Sequence, residues 1–264
     1  MKITALVENQ SSCELKAKHG LSLYIETDKH KILFDLGPDK TLFENAQKRQ
    51  ISLKDVDTVI ISHGHLDHGG GLEKFLEINK TAKVYVQKTA FEPHYTKVLG
   101  IRFPCGIKEK FKDHPQVVLL DGDYKIDDQL TLFTVKDTSK CYSTMNDALY
   151  TGKEKDTFDH EQHLIIKEEK TVLIMGCGHS GVVNIMEAAR QYHPLLCVGG
   201  YHLMNPNSSK SVPEALLDEI VKELKQYPDT QFYTCHCTGQ TAYKYLSERM
   251  PNLSYLSCGQ SIQF

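Results

Sequence analysis

Three histidines and an aspartate are crowded into six positions at the end of a short apolar run, in the stretch TVIISHGHLDHGGGL (58–72). Polar side chains at the end of a buried strand cost free energy, and four of them in one turn have little structural use. Neutral imidazole is the commonest protein ligand for zinc and also suits iron and nickel. The stretch therefore predicts a metal site formed by His63, His65, Asp67 and His68.

The spacing of these four residues suggests two metals rather than one. In an extended segment, residues two apart project to the same side, so His63 and His65 are expected to face one metal. Asp67 and His68 point differently and would serve a second metal. Two metals about 3.5–4 Å apart can clamp a substrate oxygen and activate water. The glycines at 69–71 leave room for backbone or substrate near the metals and start the next helix.

Four segments share one pattern, in which an apolar strand is followed by a small or polar turn that holds histidine. They are TVIISHGHLDHGGGL, TVLIMGCGHSGVVNIM, LLCVGGYHLM and QFYTCHCTGQTAYKYL. In α/β sheets, ligands collect outside the carboxyl ends of the strands. If the four strands lie side by side, His179, His202 and His236 converge with the first cluster on one edge.

Composition and charge exclude several classes of protein. The formal net charge of the 264 residues is −3, and this lack of a basic excess argues against a nucleic-acid partner. No run approaches the ~18 apolar residues of a membrane helix, and the N-terminal MKITALVENQSS lacks the pattern of a signal peptide. The eight cysteines form no CxxC pair, which is typical of reduced thiols. We expect a cytoplasmic protein with a small-molecule substrate and no membrane partner. The oligomeric state is left open.

The pattern of apolar residues predicts alternating strands and helices along most of the chain. Strands are predicted at 2–7, 21–27, 31–36 and 83–87, and helices at 41–50, 181–192 and 213–227. The segment 93–116 contains three prolines and no clear periodicity, and it is interpreted as a lid or cap over the site.

The pattern His63-x-His65-x-Asp67-His68 resembles the signature of the metallo-β-lactamase superfamily. The segments HGLSLYIET, ILFDLG, GCGHSGVVN and HCTG extend the resemblance over most of the chain. They are similar to a subfamily of dihydropterin-type ribofuranosylaminobenzene-phosphate synthases and metal-dependent hydrolases. The resemblance implies one α+β domain over residues 1–264, a four-layer αββα sandwich with a dinuclear metal site at the edge of its two sheets.

The resemblance also assigns ligands and a metal. It places His63, His65 and His179 on the first metal and Asp67, His68 and His236 on the second, with Asp67 as the catalytic carboxylate. Zinc is expected, as one or two ions, with iron or manganese as alternatives.

One position departs from the superfamily pattern. Most members carry a bridging aspartate in a Gly-Asp turn, whereas this turn reads Gly176-Cys177-Gly178-His179. Cys177 and His202 are the two candidates to occupy the place of the carboxylate. Asp35, at the end of an apolar strand, is predicted to orient a ligand histidine. By contrast, His160 and His163 are interpreted as surface or strand residues, and His94 as exposed or in contact with the lid.

Two functions follow from these features. The first is a metal-dependent hydrolase that activates water at a dinuclear site and acts on a small phosphate- or pterin-containing substrate. The alternative is a metal-containing ligand-binding or sensing protein of the same fold, with little or no turnover. The absent bridging aspartate favours the alternative, whereas the intact cluster at 63–68 favours the enzyme.

Overall fold

The computed structural model describes all 264 residues. The strands are β1 (Lys2–Val7), β2 (Ser22–Glu26), β3 (Lys31–Phe34), β4 (Thr58–Ile60), β5 (Lys83–Gln87), β6 (His94–Val98), β7 (Ile101–Pro104), β8 (Val117–Leu120), β9 (Tyr124–Lys125), β10 (Leu130–Phe133), β11 (Leu149–Thr151), β12 (Glu154–Lys155), β13 (His163–Lys167), β14 (Thr171–Ile174), β15 (Leu196–Gly199), β16 (Gln231–Thr234), β17 (Leu253–Tyr255) and β18 (Ser261–Gln263). The helices are α1 (Thr41–Lys48), α2 (Leu66–Gly69), α3 (Leu72–Ile78), α4 (Val182–Ala189), α5 (Glu214–Leu224) and α6 (Gln240–Ser247). No helix is both long enough and apolar enough to span a bilayer.

These elements form two compact units. The first unit consists of residues 1–122, 148–160 and 257–264, and the second of residues 123–147 and 161–256. Each unit contains a seven-stranded mixed sheet. In each sheet three strand pairs are antiparallel and three are parallel.

The sheet of the first unit has the strand order β18-β1-β2-β3-β4-β5-β8. Helices α1 and α3 pack on it because their apolar residues recur at helical spacing. Leu42 of α1 and Leu72 and Phe75 of α3 share one buried core with Leu33 of β3 and Val59 of β4. This packing fixes the end of β4, from which the histidine-rich segment departs.

A smaller sheet in the first unit includes part of the segment 93–116, for which the sequence shows no clear periodicity. Its strand order is β12-β11-β6-β7, and β6 and β7 form an antiparallel hairpin. Leu99, at the hairpin turn, is 99% exposed. The segment that lacks clear periodicity in the sequence therefore contains a regular hairpin at 94–104, whereas a lid function for this segment stays a prediction.

The sheet of the second unit has the strand order β17-β16-β15-β14-β13-β10-β9. Its core joins Ile185 of α4, Ile220 of α5 and Leu246 of α6 to Leu173 of β14 and Phe232 of β16. Strands β14, β15 and β16 are adjacent and parallel. Three of the four histidine-bearing strand ends therefore lie side by side as predicted. The fourth strand, β4, lies in the other sheet, between β3 and β5.

A buried histidine in β13 gives the second unit a testable dependence on pH. His163 is fully buried, neither ring nitrogen has a hydrogen-bond partner, and Nε2 lies 3.8 Å from Glu161. Burial lowers the pKa of His163 from 6.5 to about 3. The unfolded chain therefore binds a proton below pH 6.5 that the folded chain does not bind until about pH 3, so stability falls as the pH falls through this window.

His163→Phe is expected to remove this loss of stability. Between pH 7 and pH 5, metal-free wild type should lose about 2 kcal/mol more unfolding free energy than the variant, since each pKa unit corresponds to about 1.4 kcal/mol. Urea unfolding of both proteins at the two pH values measures the difference. His193→Asn, at an exposed position, should behave as wild type. Equal losses in His163→Phe and wild type would show that His163 is protonated in the folded state.

Candidate metal site

The residues of the histidine-rich segment lie just beyond the carboxyl end of β4. The strand ends at Ile60, so His63 and His65 belong to a loop, and the strand alternation assumed from the sequence does not apply. The rings nevertheless cluster. The ring centroid of His63 lies 4.6 Å from that of His65 and 4.1 Å from that of His68, and all three side chains are buried.

A buried carboxylate determines which ring nitrogen carries the proton in two of these histidines. Asp35 lies at the end of β3 and is fully buried. Its Oδ2 is 2.6 Å from Nδ1 of His68, so Nδ1 carries the proton and Nε2 carries the lone pair that a metal needs. The prediction that Asp35 orients a histidine of the motif is confirmed.

Ser62 extends the same arrangement to His63. Its backbone N–H donates to Asp35 Oδ1 at 2.7 Å, and its hydroxyl donates to Oδ2 at 2.8 Å. Having donated its hydrogen, the hydroxyl accepts from Nδ1 of His63, 2.8 Å away. The Nε2 atom of His63 therefore also carries a lone pair. Nothing in the sequence pattern had singled out Ser62.

At two of the three glycines after the motif, the space that a side chain would occupy is filled by backbone atoms rather than left open for substrate. A Cβ on Gly70 would lie 2.1 Å from the carbonyl oxygen of Pro38, and one on Gly71 would lie 2.4 Å from that of Leu36. Distances this short are steric overlaps with main-chain atoms. The glycines therefore allow the segment after β3 to pack directly against α2 and the start of α3.

Asp67 is the least buried of the four ligand candidates in the motif. Its side chain is 24% exposed, and its Oδ2 lies 3.6 Å from Nε2 of His68 and 3.5 Å from Nε2 of His19. The carboxylate therefore stands at the lone-pair edge of His68, where the sequence predicts the second metal.

A second group of titratable side chains surrounds His65. His65, His94, Asp156 and His160 have donor atoms within 4.8 Å of one another, and we call them the Asp156 cluster. Burial and the neighbouring charge of His160 hold the pKa of His65 well below its ordinary value. Burial alone would raise the pKa of Asp156, but hydrogen bonds from His160 and His94 outweigh it and lower this pKa. The cluster thus contains an ionised Asp156 carboxylate, and the imidazoles of His65 and His160, whose pKa values are lowered by burial, are neutral.

The sequence interpretation of two cluster members is wrong. His94, predicted to be exposed or in contact with a lid, is only 1% exposed. His160, predicted to lie at the surface or in a strand, is only 2% exposed. His160 lies in no strand. Their positions depend on the small sheet and on the loop after it, which the sequence did not reveal.

In the second unit, His179 follows β14 and is held at several points. Its Nδ1 lies 3.0 Å from Oδ1 of Asn146, which places the ring proton on Nδ1 and the lone pair on Nε2. Its backbone N–H donates to Glu161 at 2.8 Å. Burial raises the pKa of Glu161. Asn146 and Glu161 are further residues that the motif pattern had not indicated.

The remaining candidates of the second unit lie close to His179. Cys177, His179 and His202 have donor atoms within 4.8 Å of one another, and so do Cys177, His236 and Cys237. His202 and His236 have φ of +47° and +51°, values that are uncommon for a residue other than glycine and tend to occur at functional positions. Both candidates for the place of the bridging carboxylate, Cys177 and His202, therefore lie in one cluster.

These donor sets fit a transition metal. The tautomers of His63, His68 and His179 present Nε2 lone pairs, as metal ligation requires. Nδ1 of His202 is buried without a hydrogen-bond partner, which costs free energy that ligation would offset. Imidazole, carboxylate and thiolate are all ligands of zinc.

The family follows from a comparison with known proteins. Residues 16–186 match the model of the metallo-beta-lactamase superfamily. The chain belongs to the metallo-β-lactamase superfamily. The α+β fold expected from the resemblance is thereby confirmed, together with the recognition of the HxHxDH signature.

Two curated relatives of this superfamily member come from Methanocaldococcus jannaschii. The uncharacterized protein MJ0448 is 32% identical over 270 residues, covering 98% of this chain and 99% of its own. The 7,8-dihydropterin-6-methyl-4-(β-D-ribofuranosyl)-aminobenzene-5'-phosphate synthase is 24% identical over 294 residues, covering 100% of this chain and 97% of its own. Among solved structures, Tm1679, a metal-dependent hydrolase of the β-lactamase superfamily, has a TM-score of 0.82 at 24% identity, covering 100% of this chain and 99% of its own.

Proposed function

We propose that this superfamily member is a metal-dependent hydrolase that activates water at a dinuclear metal site and acts on a small phosphate- or pterin-containing molecule. The observation that carries the proposal is that hydrogen bonds fix the tautomers of two histidines of the motif. Asp35, directly and through Ser62, places lone pairs on Nε2 of both His68 and His63. A buried carboxylate that orients imidazoles in this way is the usual support of a metal ligand.

The proposed ligands are those that the resemblance implies, namely His63, His65, Asp67, His68, His179 and His236. The division of these six residues between two metals, which the resemblance implies, stays part of the proposal. Zinc is the expected metal, with iron or manganese as alternatives.

The reaction chemistry divides between the metal and the chain. A divalent metal would lower the pKa of a water molecule and polarise a phosphoryl or carbonyl oxygen of the substrate. Asp67, half-buried beside Nε2 of His68, would accept a hydrogen bond from the attacking water and orient it toward the substrate. Asp35 and Ser62 would keep the ring protons of His63 and His68 on Nδ1, and so keep both Nε2 lone pairs aimed at the metal, during the reaction.

The substrate class rests on one relative. The curated protein that is 24% identical over the whole chain is named as a synthase of a pterin-containing phosphate. That name, together with the acidic net charge that disfavours nucleic acid, supports a small phosphate- or pterin-containing substrate.

Metal content tests the proposal directly. Purified protein should contain one to two equivalents of transition metal, as measured by elemental analysis. Calorimetric titration of metal-free protein should show two steps, because no carboxylate stands in the turn 176–179 to bridge the metals and strengthen the second site. Protein that contains no metal and does not rebind zinc would contradict the proposal. Two equal, tight sites would show that Cys177 or His202 supplies the bridge.

Activity assays on the same purified protein distinguish hydrolysis from the alternative function, which is ligand binding or sensing. Metal-loaded protein should hydrolyse bis(p-nitrophenyl) phosphate, a generic phosphodiester, and a chelator should abolish this activity. Full metal content without turnover of phosphodiesters, carboxylic esters or pterin phosphates would instead favour a binding or sensing protein.

A further inference from the structure

The Asp156 cluster contains more buried polar groups than the proposed metal site uses. Asp156 and His94 have side chains that are 1% and 0% exposed. Of its four members, only His65 belongs to the HxHxDH motif. The other three come from β6 and from the loop after β12. Burying a carboxylate and two imidazoles is costly unless their hydrogen bonds are satisfied, so the partners of each group indicate what the cluster does.

His160 connects the Asp156 carboxylate to the motif through hydrogen bonds at both of its ring nitrogens. The backbone N–H of Gly64 donates to Nδ1 of His160 at 2.9 Å. Since Nδ1 accepts, the ring proton of the neutral imidazole lies on Nε2, which donates to the Asp156 carboxylate at 3.2 Å. Asp156 is itself anchored by the N–H of Phe158, at 2.8 Å. The chain of hydrogen bonds thus ends on the peptide between His63 and His65.

His94 closes the other side of that peptide. A Cβ on Gly64 would lie 2.5 Å from Nε2 of His94 and 2.5 Å from the carbonyl oxygen of Ala90. Nδ1 of His94 lies 3.2 Å from Asp156 Oδ2 and 3.1 Å from the hydroxyl of Thr151. Gly64 is therefore held by a hydrogen bond on its N–H and by close packing on its Cα.

We infer that Asp156 and His160, with His94, position the Gly64 peptide and thereby aim the imidazoles of His63 and His65. The consequence for metal binding rests on the proposed function. None of the three is among the six proposed ligands, although Asp156 Oδ2 lies 4.0 Å from Nε2 of His65, and they act through the peptide of Gly64. A metal bound inside the cluster itself is disfavoured, because the Nε2 atom of His160 carries the proton that it donates to Asp156.

Two substitutions at His160 separate positioning from packing. In His160→Asn, the amide oxygen stands near the place of Nδ1, so the acceptor for the Gly64 N–H is retained. In His160→Gln, the amide stands near the place of Nε2, so the contact with Asp156 is retained and the acceptor is lost. Glutamine is closer to histidine in volume, so packing alone would favour Gln over Asn.

The expected order of zinc affinities in the two variants is the reverse of the order that side-chain volume alone would give. His160→Gln should bind zinc about 10–100-fold more weakly than wild type, the usual cost of losing a supporting group, whereas His160→Asn should stay closer to wild type. Competition with a chromophoric chelator measures the zinc affinity. In metal-free protein, hydrogen exchange of the Gly64 amide by NMR should be fast in His160→Gln and slow in wild type and His160→Asn.

The outcomes distinguish this inference from the proposed function. His163→Phe, at a buried histidine of β13 outside the cluster, is the control and should leave both readouts unchanged. Equal zinc affinities and equal Gly64 exchange in the two His160 variants would overturn the inference. So would the loss of one whole zinc equivalent in His94→Ala with Gly64 exchange unchanged, which would place a metal in the cluster. If wild type binds no metal, the proposed function fails, while Gly64 exchange still decides whether His160 holds the peptide.

Discussion

Asp67→Asn is expected to lower turnover of a phosphodiester substrate by at least about a hundredfold, the range that removal of an acid–base group commonly costs. The substitution keeps the size of the side chain and removes its charge. Because Oδ2 lies 3.6 Å from Nε2 of His68 and the side chain is 24% exposed, the change affects a group at the surface of the site rather than the core. Steady-state kinetics at saturating metal measure the loss, and circular dichroism should show an unchanged fold.

The metal content of Asp67→Asn should separate the two predicted sites. The second equivalent should bind more weakly, whereas the first, which the resemblance assigns to His63, His65 and His179, should remain. Asp121→Asn removes a carboxylate that is 77% exposed, and His30→Ala removes a histidine of a surface hairpin. Both should be silent. Near-full activity of Asp67→Asn would mean that Asp67 is structural and that the proposed mechanism is wrong.

Local pattern predicted most of the elements, because apolar periodicity depends only on neighbouring residues. The strands predicted at 2–7 and 83–87 have the same bounds in the structure, and the helix predicted at 213–227 spans Glu214–Leu224. The assignment of strands to sheets was less successful, because pairing depends on distant segments. Strand β4 has the same apolar run and histidine turn as β14, yet it pairs with β3 and β5.

The same limit applies to the site. The HxHxDH spacing is local and could be recognised directly, and Asp35 was found because it ends an apolar strand. Asp156 and His160 lie about ninety residues after Gly64 and carry no motif of their own. Their role becomes visible only in the hydrogen bond between Gly64 and His160. Ser62 stands next to the motif, but a serine after an apolar run gives no sign that its hydroxyl joins a carboxylate to an imidazole.

Asp35→Asn is expected to weaken both the fold and metal binding. The backbone at Asp35 has φ of +64°, a conformation that asparagine tolerates as well as aspartate, so the substitution changes the hydrogen bonding alone. The carboxylate accepts from the N–H and hydroxyl of Ser62 and from Nδ1 of His68. An amide offers one acceptor oxygen and turns an NH₂ donor toward the remaining donors. Leaving buried donors opposed in this way should cost about 3 kcal/mol of unfolding free energy.

Asp35→Asn should lower the zinc affinity by more than the loss of folding stability can explain. Without the carboxylate, His68 is free to move its proton to Nε2, and zinc affinity should fall about a hundredfold, the upper range for a supporting carboxylate. Asp57→Asn is a matched control, because Asp57 also accepts three hydrogen bonds, from His30, Lys31 and Thr58, but is 45% exposed. It should leave zinc affinity unchanged. The tautomer of His68 can be read from its ¹⁵N resonances in metal-free protein. If Asp35→Asn is destabilised but binds zinc as wild type does, the carboxylate supports the fold only, and the orientation of His68 must come from another contact.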